Sequence, residues 1–246
     1  MKRIIIAILV LTTGRLYAIS PIGPAASILE QGQAESGFEY AYTKVDGLTF
    51  DATAEVFGLK VGGTVPLSDD MKACFLKAGY GLEDRGDIFL RLGAADVEST
   101  GTEFAWGLGG RITVVGSERL DWGLLAQVNW FGAEDAGTIR DETFGLVSYR
   151  GDLSFTVAQI AAGPVYKGDG FSVYGGPFVY WVKGDGDITV DDGTYSIRAS
   201  VDAESDVKAG GYVGLSAAIR PNISINAEYQ LADHSRAFAC GLTWRY

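Results

Sequence analysis

Few residues in this 246-residue chain are of types that do chemistry, and their spacing argues against most of it. His234 is the only histidine; Asp233 precedes it and Ser235 follows it. A histidine works as a general base when a carboxylate fixes its tautomer and a nucleophile lies within hydrogen-bond reach. In extended chain adjacent side chains point to opposite faces, so Asp233 cannot orient His234 there; only a loop relaxes that limit. A solvated loop histidine is the expectation. Cys74 and Cys240 are the two cysteines, and a pair of them in an oxidising compartment raises the question of a disulfide. They fall on the apolar faces of what read as the second and last strands, with the first strand between them. Strands two apart lie about 9–10 Å from each other, beyond the roughly 7 Å between Cα atoms that a disulfide spans, so two apolar wall thiols are expected. Gly184–Gly193 (GDGDITVDDG) is rich in carboxylates but lacks the twelve-residue calcium loop with its closing Glu, and reads as a charged connection. No catalytic set, no metal site and no cofactor is expected.

The elements that carry these residues alternate with period two, and helical periodicity is absent. In Ser235–Tyr246 one face holds Phe238, Cys240, Leu242, Trp244 and Tyr246, and the other Ala237, Ala239, Gly241, Thr243 and Arg245. The preceding stretch repeats this, with Ile223, Ile225, Ala227, Tyr229 and Leu231 set against Ser224, Asn226, Glu228 and Gln230, so the two form a hairpin. Similar strands are predicted at 206–219, 171–183, 152–167, 120–132, 102–115, 87–97, 71–84 and 36–45. Turns at Glu83–Gly86, Gly116–Arg119, Gly168–Gly170 and Arg220–Asn222 are short. The connections at 46–70, 98–101, 133–151, 184–205 and 232–235 are more acidic, and three of them are long. The stretch 46–70 is assigned to a long loop, although Ala52–Val65 has strand character. This pattern predicts an all-β, antiparallel, up-and-down arrangement of about ten strands, with eight and twelve also compatible.

The N-terminus carries a basic start at Lys2 and Arg3, an unbroken apolar run Ile4–Leu11, and Leu16-Tyr17-Ala18 as a small-residue cleavage site. The run is too short for a spanning helix, which needs about 20 apolar residues. Residues 1–18 are therefore expected to be a cleaved signal peptide, 19–35 a Pro-containing periplasmic lead-in, and 36–246 the structured domain. Gly is abundant at 34 residues, which disfavours a helical protein because each helix-interior Gly costs roughly 0.5–1 kcal/mol relative to Ala. Net charge is −11, and removing Lys2, Arg3 and Arg15 makes it more negative still. A chain so acidic is a poor partner for nucleic acid, whose binding depends on cations that neutralise phosphates.

A soluble sandwich also alternates apolar and polar residues, so the tryptophans decide. Trp106, Trp122, Trp130, Trp181 and Trp244 all fall on the apolar faces and sort to strand ends. Indole has a large apolar body and a single N–H, which suits the boundary of hydrocarbon and headgroup. Trp122 and Trp130 are eight residues apart, about 26 Å along a strand and about 20 Å in height at a tilt of about 40°. That is close to the roughly 25 Å apolar band of a transmembrane barrel. An unpaired sheet edge in hydrocarbon costs several kcal/mol per backbone group, so the sheet is expected to close.

The export signal, the alternating strands and the terminal Phe238-x-Cys240-x-Leu242-x-Trp244-x-Tyr246 pattern resemble the small outer-membrane β-barrel proteins of diderm bacteria. Leu76–Gly81 (LKAGYG) and Leu90–Asp96 (LRLGAAD) share that style. The resemblance covers residues 36–246 and concerns architecture. It implies that Phe238, Leu242, Trp244 and Tyr246 form the signal read by the barrel-assembly machinery, here with Tyr where Phe is commoner. It also implies that outer-membrane lipid and lipopolysaccharide surround the chain, with the acidic connections placed to bridge divalent cations on lipopolysaccharide. Proteases of the omptin type use a His–Asp pair at the outer rim, and lipid A deacylases a His-x-Ser spacing that the adjacent His234 and Ser235 do not match.

On the inward faces, Glu39, Glu103, Asp121 and Glu228 share the interior with Lys77, Arg91, Arg111, Lys208 and Arg245, joined by Gln127, Asn129 and Gln159. Side chains can fill a barrel of eight to ten strands, and buried charges must pair to offset desolvation. Nearly balanced signs thus predict a plugged lumen. The expected function is non-enzymatic, structural or surface-interacting. The competing readings are a small porin-like pore for ions or solutes, and a rim-located lipid A hydrolase or protease.

Overall fold

The computed structural model describes residues 21–56, 59–83, 85–97, 101–141, 145–191, 196–233 and 235–246; the expected signal peptide and His234 lie outside the described residues. The strands are β1 (Ala34–Val56), β2 (Leu59–Glu83), β3 (Gly86–Val97), β4 (Gly101–Gly116), β5 (Leu120–Asp141), β6 (Gly145–Lys167), β7 (Phe171–Asp191), β8 (Ser196–Glu204), β9 (Lys208–Arg220), β10 (Ile223–Ala232) and β11 (Ser235–Arg245). Eleven segments make ten staves because β8 and β9 share one position. β7 pairs with β8 along Lys183–Asp191 and with β9 along Phe171–Tyr180. β1 pairs with β11 from Glu35↔Arg245 to Val45↔Ser235, and this ladder closes the barrel. All the pairings are antiparallel, and closure removes the sheet edges that hydrocarbon cannot satisfy.

The short turns and the last strand's end share one rim. At the other rim three hairpins run on as paired strands: β1–β2 to Val56↔Leu59, β5–β6 to Asp141↔Gly145 and β7–β8 to Asp191↔Ser196. The stretches 46–70, 133–151 and 184–205 are therefore largely strand, which corrects the expectation of long loops. Each extends an existing stave, so the count stays at ten. The β10–β11 hairpin is short, and above it β1 pairs directly with β8, Asp51↔Glu204 to Glu55↔Ser200. Within the wall the β6–β7 ladder runs from Ala161↔Phe178 to Val165↔Tyr174 with no pairs between. Pro164 and Pro177 lie in that gap, and proline has no N–H to give a ladder.

Burial is inverted relative to a soluble protein. Leu76 is 68% exposed, Leu108 53% and Trp122 50%, while Arg91 is 1% exposed. Fully burying an apolar side chain is worth about 1.5–3 kcal/mol, so an outer face of this composition is stable only against an apolar medium. The interior has two tiers. Towards the long rim it is apolar: Phe131 stacks on Phe155 at 5.8 Å between ring centroids, and Phe178 packs against Tyr180 and Tyr212. Towards the short-turn rim it is charged.

Candidate functional site

The charged tier is built by alternation. On β1, β2, β3 and β4, every second residue turns inward and is buried: Glu35 and Glu39, Lys77, Asp87 and Arg91, and Arg111. Lys77 Nζ lies 2.9 Å from Glu35 and 3.6 Å from Glu39. Arg91 Nε donates to Glu39 at 2.6 Å, and its Nη1 to the Gln127 carbonyl oxygen at 2.7 Å. Arg111 reaches Asp87 at 2.7 Å and Glu35 at 3.4 Å. The ring of Phe89 lies among all three cations, 4.6 to 5.2 Å from its centroid, so cation–π attraction adds to the ion pairs. Asp121 pairs with Lys167 at the short-turn rim. Gln127 also donates to Gln159, carrying the network to β6.

The predicted interior residues Glu39, Lys77, Arg91, Arg111, Asp121 and Gln127 thus join one network or its margin. Glu103 and Lys208 are half-buried and stand outside it, and Arg245 is half-buried beside the β1–β11 seam. Two network members, Glu35 and Asp87, lay at strand ends and were not among the expected lumen charges.

The largest departure from expectation concerns the lead-in. Residues 21–29 do not precede the barrel; they lie inside it, and Glu30, Gln31 and Gly32 are exposed where the segment runs on to β1. Ile22, Ala25, Ala26 and Leu29 are at most 3% exposed. Ile22 and Gly23 donate their backbone N–H groups to the two carboxylate oxygens of Glu228, at 2.9 and 2.7 Å. The Ser27 hydroxyl and the Ile28 N–H donate to Asp87 Oδ2 at 3.0 and 2.9 Å, and the Ser27 N–H donates to Thr113. Gln127 Nε2 donates to the Pro21 carbonyl at 3.1 Å. Gly32 and Gln33 cross-bond with Gly81 where the segment meets β1. From Asp121 to Gln127 is six residues of β5, about 20 Å of strand and about 15 Å of height; Pro21 therefore sits deep in the lumen. The segment's composition was the available signal: Pro-Ile-Gly-Pro-Ala-Ala-Ser-Ile-Leu is too apolar for a solvated leader.

Other expected residues are placed as follows. All five tryptophans stand on the outer wall, and Trp106 is directly opposite Trp130 in register. Phe238, Leu242, Trp244 and Tyr246 share the outer face of β11. Tyr40 pairs with both Cys74 and Cys240, so β1 separates them, and both thiols are free. Gly184–Gly193 is strand through Asp191, with Asp187 accepting from Arg198 at 2.7 Å; its last two residues lie outside the described ones.

No protein-family model matches the sequence, and no curated protein matches it. Among solved structures the chain is similar to the outer membrane protease OmpT from Escherichia coli, at 11% identity and a TM-score of 0.51, covering 93% of this chain and 99% of that one. It is also similar to the outer membrane protein OprG from Pseudomonas aeruginosa, at 10% identity and a TM-score of 0.36, covering 89% and 99%. The fold is that of an outer-membrane β-barrel. At these identities the likeness speaks for architecture, and it supports a place in the outer membrane. In barrels of this class the short-turn rim is the periplasmic one.

Proposed function

We propose that this chain is a closed, non-enzymatic integral outer-membrane barrel whose role is structural or is carried by its projecting outer strands. The observation behind this reading is the lower lumen, where ion pairs from four strands and an inserted chain segment occupy the space. A cavity there lined by Glu39, Lys77, Arg111 and Glu228, among the described residues, is about 40 Å³, room for a few waters at most. Above the outer tryptophans, β5 continues from Trp130 to Asp141, about 36 Å of further strand. Such hairpins offer a surface for contact or adhesion. In this reading Phe238, Leu242, Trp244 and Tyr246 are recognised by the barrel-assembly machinery, and lipopolysaccharide surrounds the outer tier.

Planar-bilayer recording of the purified chain tests the closed lumen: silence at neutral pH is expected, and stable unitary conductance favours the pore. Trimming 46–70 or 184–205 is expected to abolish binding to surfaces while leaving the barrel folded. For the rim-enzyme reading, His234→Ala is expected to leave any detected hydrolysis unchanged.

A further inference from the structure

The inserted segment is held in a way that suits recognition of a peptide. Two buried carboxylates on opposite sides of the lumen, Glu228 on β10 and Asp87 on β3, accept from its backbone N–H groups. Hydrogen bonds to charged acceptors are roughly twice as strong as neutral ones. Two glycines make the room. A Cβ at Gly123 would collide with the backbone of Ala25 and Ala26, and one at Gly81 with the carbonyl of Glu30. The apolar side chains of the segment complete the core, since Ile22, Ala25 and Ala26 belong to the same buried cluster as Phe89 and Leu125.

We propose that the lower lumen is a peptide-binding site occupied by the chain's own residues 21–33, and that this occupancy closes the barrel; emptied, the barrel conducts. The proposal rests on the closed-barrel reading above. Glu35, Glu39, Asp87 and Asp121 each keep a cation of the wall within 4 Å. Glu228 has none among the described residues; the Gln230 amide at 2.6 Å and the Tyr174 hydroxyl also hydrogen-bond it. Once the segment leaves, Glu228 loses the Ile22 and Gly23 N–H groups and faces water, as does Arg245 in the same cavity lining.

The test is bilayer recording on the full chain, on a variant lacking residues 21–33, and on full-length Gly123→Val, with folding checked by the mobility shift between unheated and boiled samples. The full chain is expected to be silent and both variants to show unitary steps. A synthetic peptide of sequence PIGPAASILEQGQ is expected to close the deletion variant, and a scrambled one to leave it open. A folded deletion variant that stays silent overturns the proposal and leaves the closed-barrel reading standing. Steady conductance of the full chain overturns that reading itself. Hydrogen exchange of the full chain is independent of any variant: the Ile22, Gly23 and Ile28 amides are expected to exchange as slowly as strand amides, and rapid exchange overturns the binding site.

Discussion

Glu39→Gln isolates what the charged tier contributes. The substitution keeps the shape of the side chain and removes its charge, so packing is nearly unchanged. It leaves Arg91, 1% exposed, with the neutral Gln127 oxygen on its guanidinium, while Lys77 retains Glu35 at 2.9 Å. Removing one partner of a buried pair typically costs 3–5 kcal/mol. The retained Lys77–Glu35 contact and the acceptor oxygen of the new Gln place the expected loss at about 3 kcal/mol, roughly a hundredfold in the folded-to-unfolded ratio. The assay is urea unfolding in lipid vesicles, followed by tryptophan emission and compared at constant m-value. Glu134→Gln is the control, because the Arg150–Glu134 pair is 66% and 58% exposed and surface pairs are worth about 1 kcal/mol or less. Adding Arg91→Met to Glu39→Gln is expected to recover part of the loss, since no uncompensated charge then remains. If Glu39→Gln costs no more than Glu134→Gln, the lumen network does not hold the barrel as described.

Three further outcomes follow from the wall. Leu76→Arg places a cation on the lipid-facing surface and is expected to cost about 2–4 kcal/mol in vesicle unfolding; a change within about 0.5 kcal/mol, as at a water-exposed site, contradicts lipid exposure. Cys74 and Cys240 are expected to alkylate fully after denaturation without reductant, and protection of both would reveal a disulfide. Gly81→Val is expected to displace the inserted segment as Gly123→Val does, read as faster exchange of the Ile28 amide, and unchanged exchange contradicts the close approach of Glu30.

The lower barrel was legible because its alternation has high contrast. Along 237–246 the outward residues are apolar and the inward ones small or polar, and only one register satisfies both media. Glu39, Lys77, Arg91 and Arg111 followed from that same register. Above the membrane the contrast fades, because both media are then polar or mixed. Along β7 the outward Asp185 and Asp191 alternate with Gly184 and Val190, and the glycines made paired strand resemble loop. Asp87 was missed at a strand end, where a charge is equally at home in a turn. Residues 21–33 carry neither a two-residue nor a helical period. Their place depends on Gly123, Gly81 and Glu228, positions that share no local sequence with the segment.

The central claim is that side chains pointing away from the barrel meet acyl chains. The most direct measurement is the emission of the five tryptophans in vesicles of lipids brominated at defined acyl depths. Quenching is expected to be strong with bromines near the headgroup end and weakest with bromines near the chain ends at the bilayer midplane, because the indoles stand at the two rims of the hydrocarbon band. Emission equal in brominated and plain lipid at every depth contradicts the account.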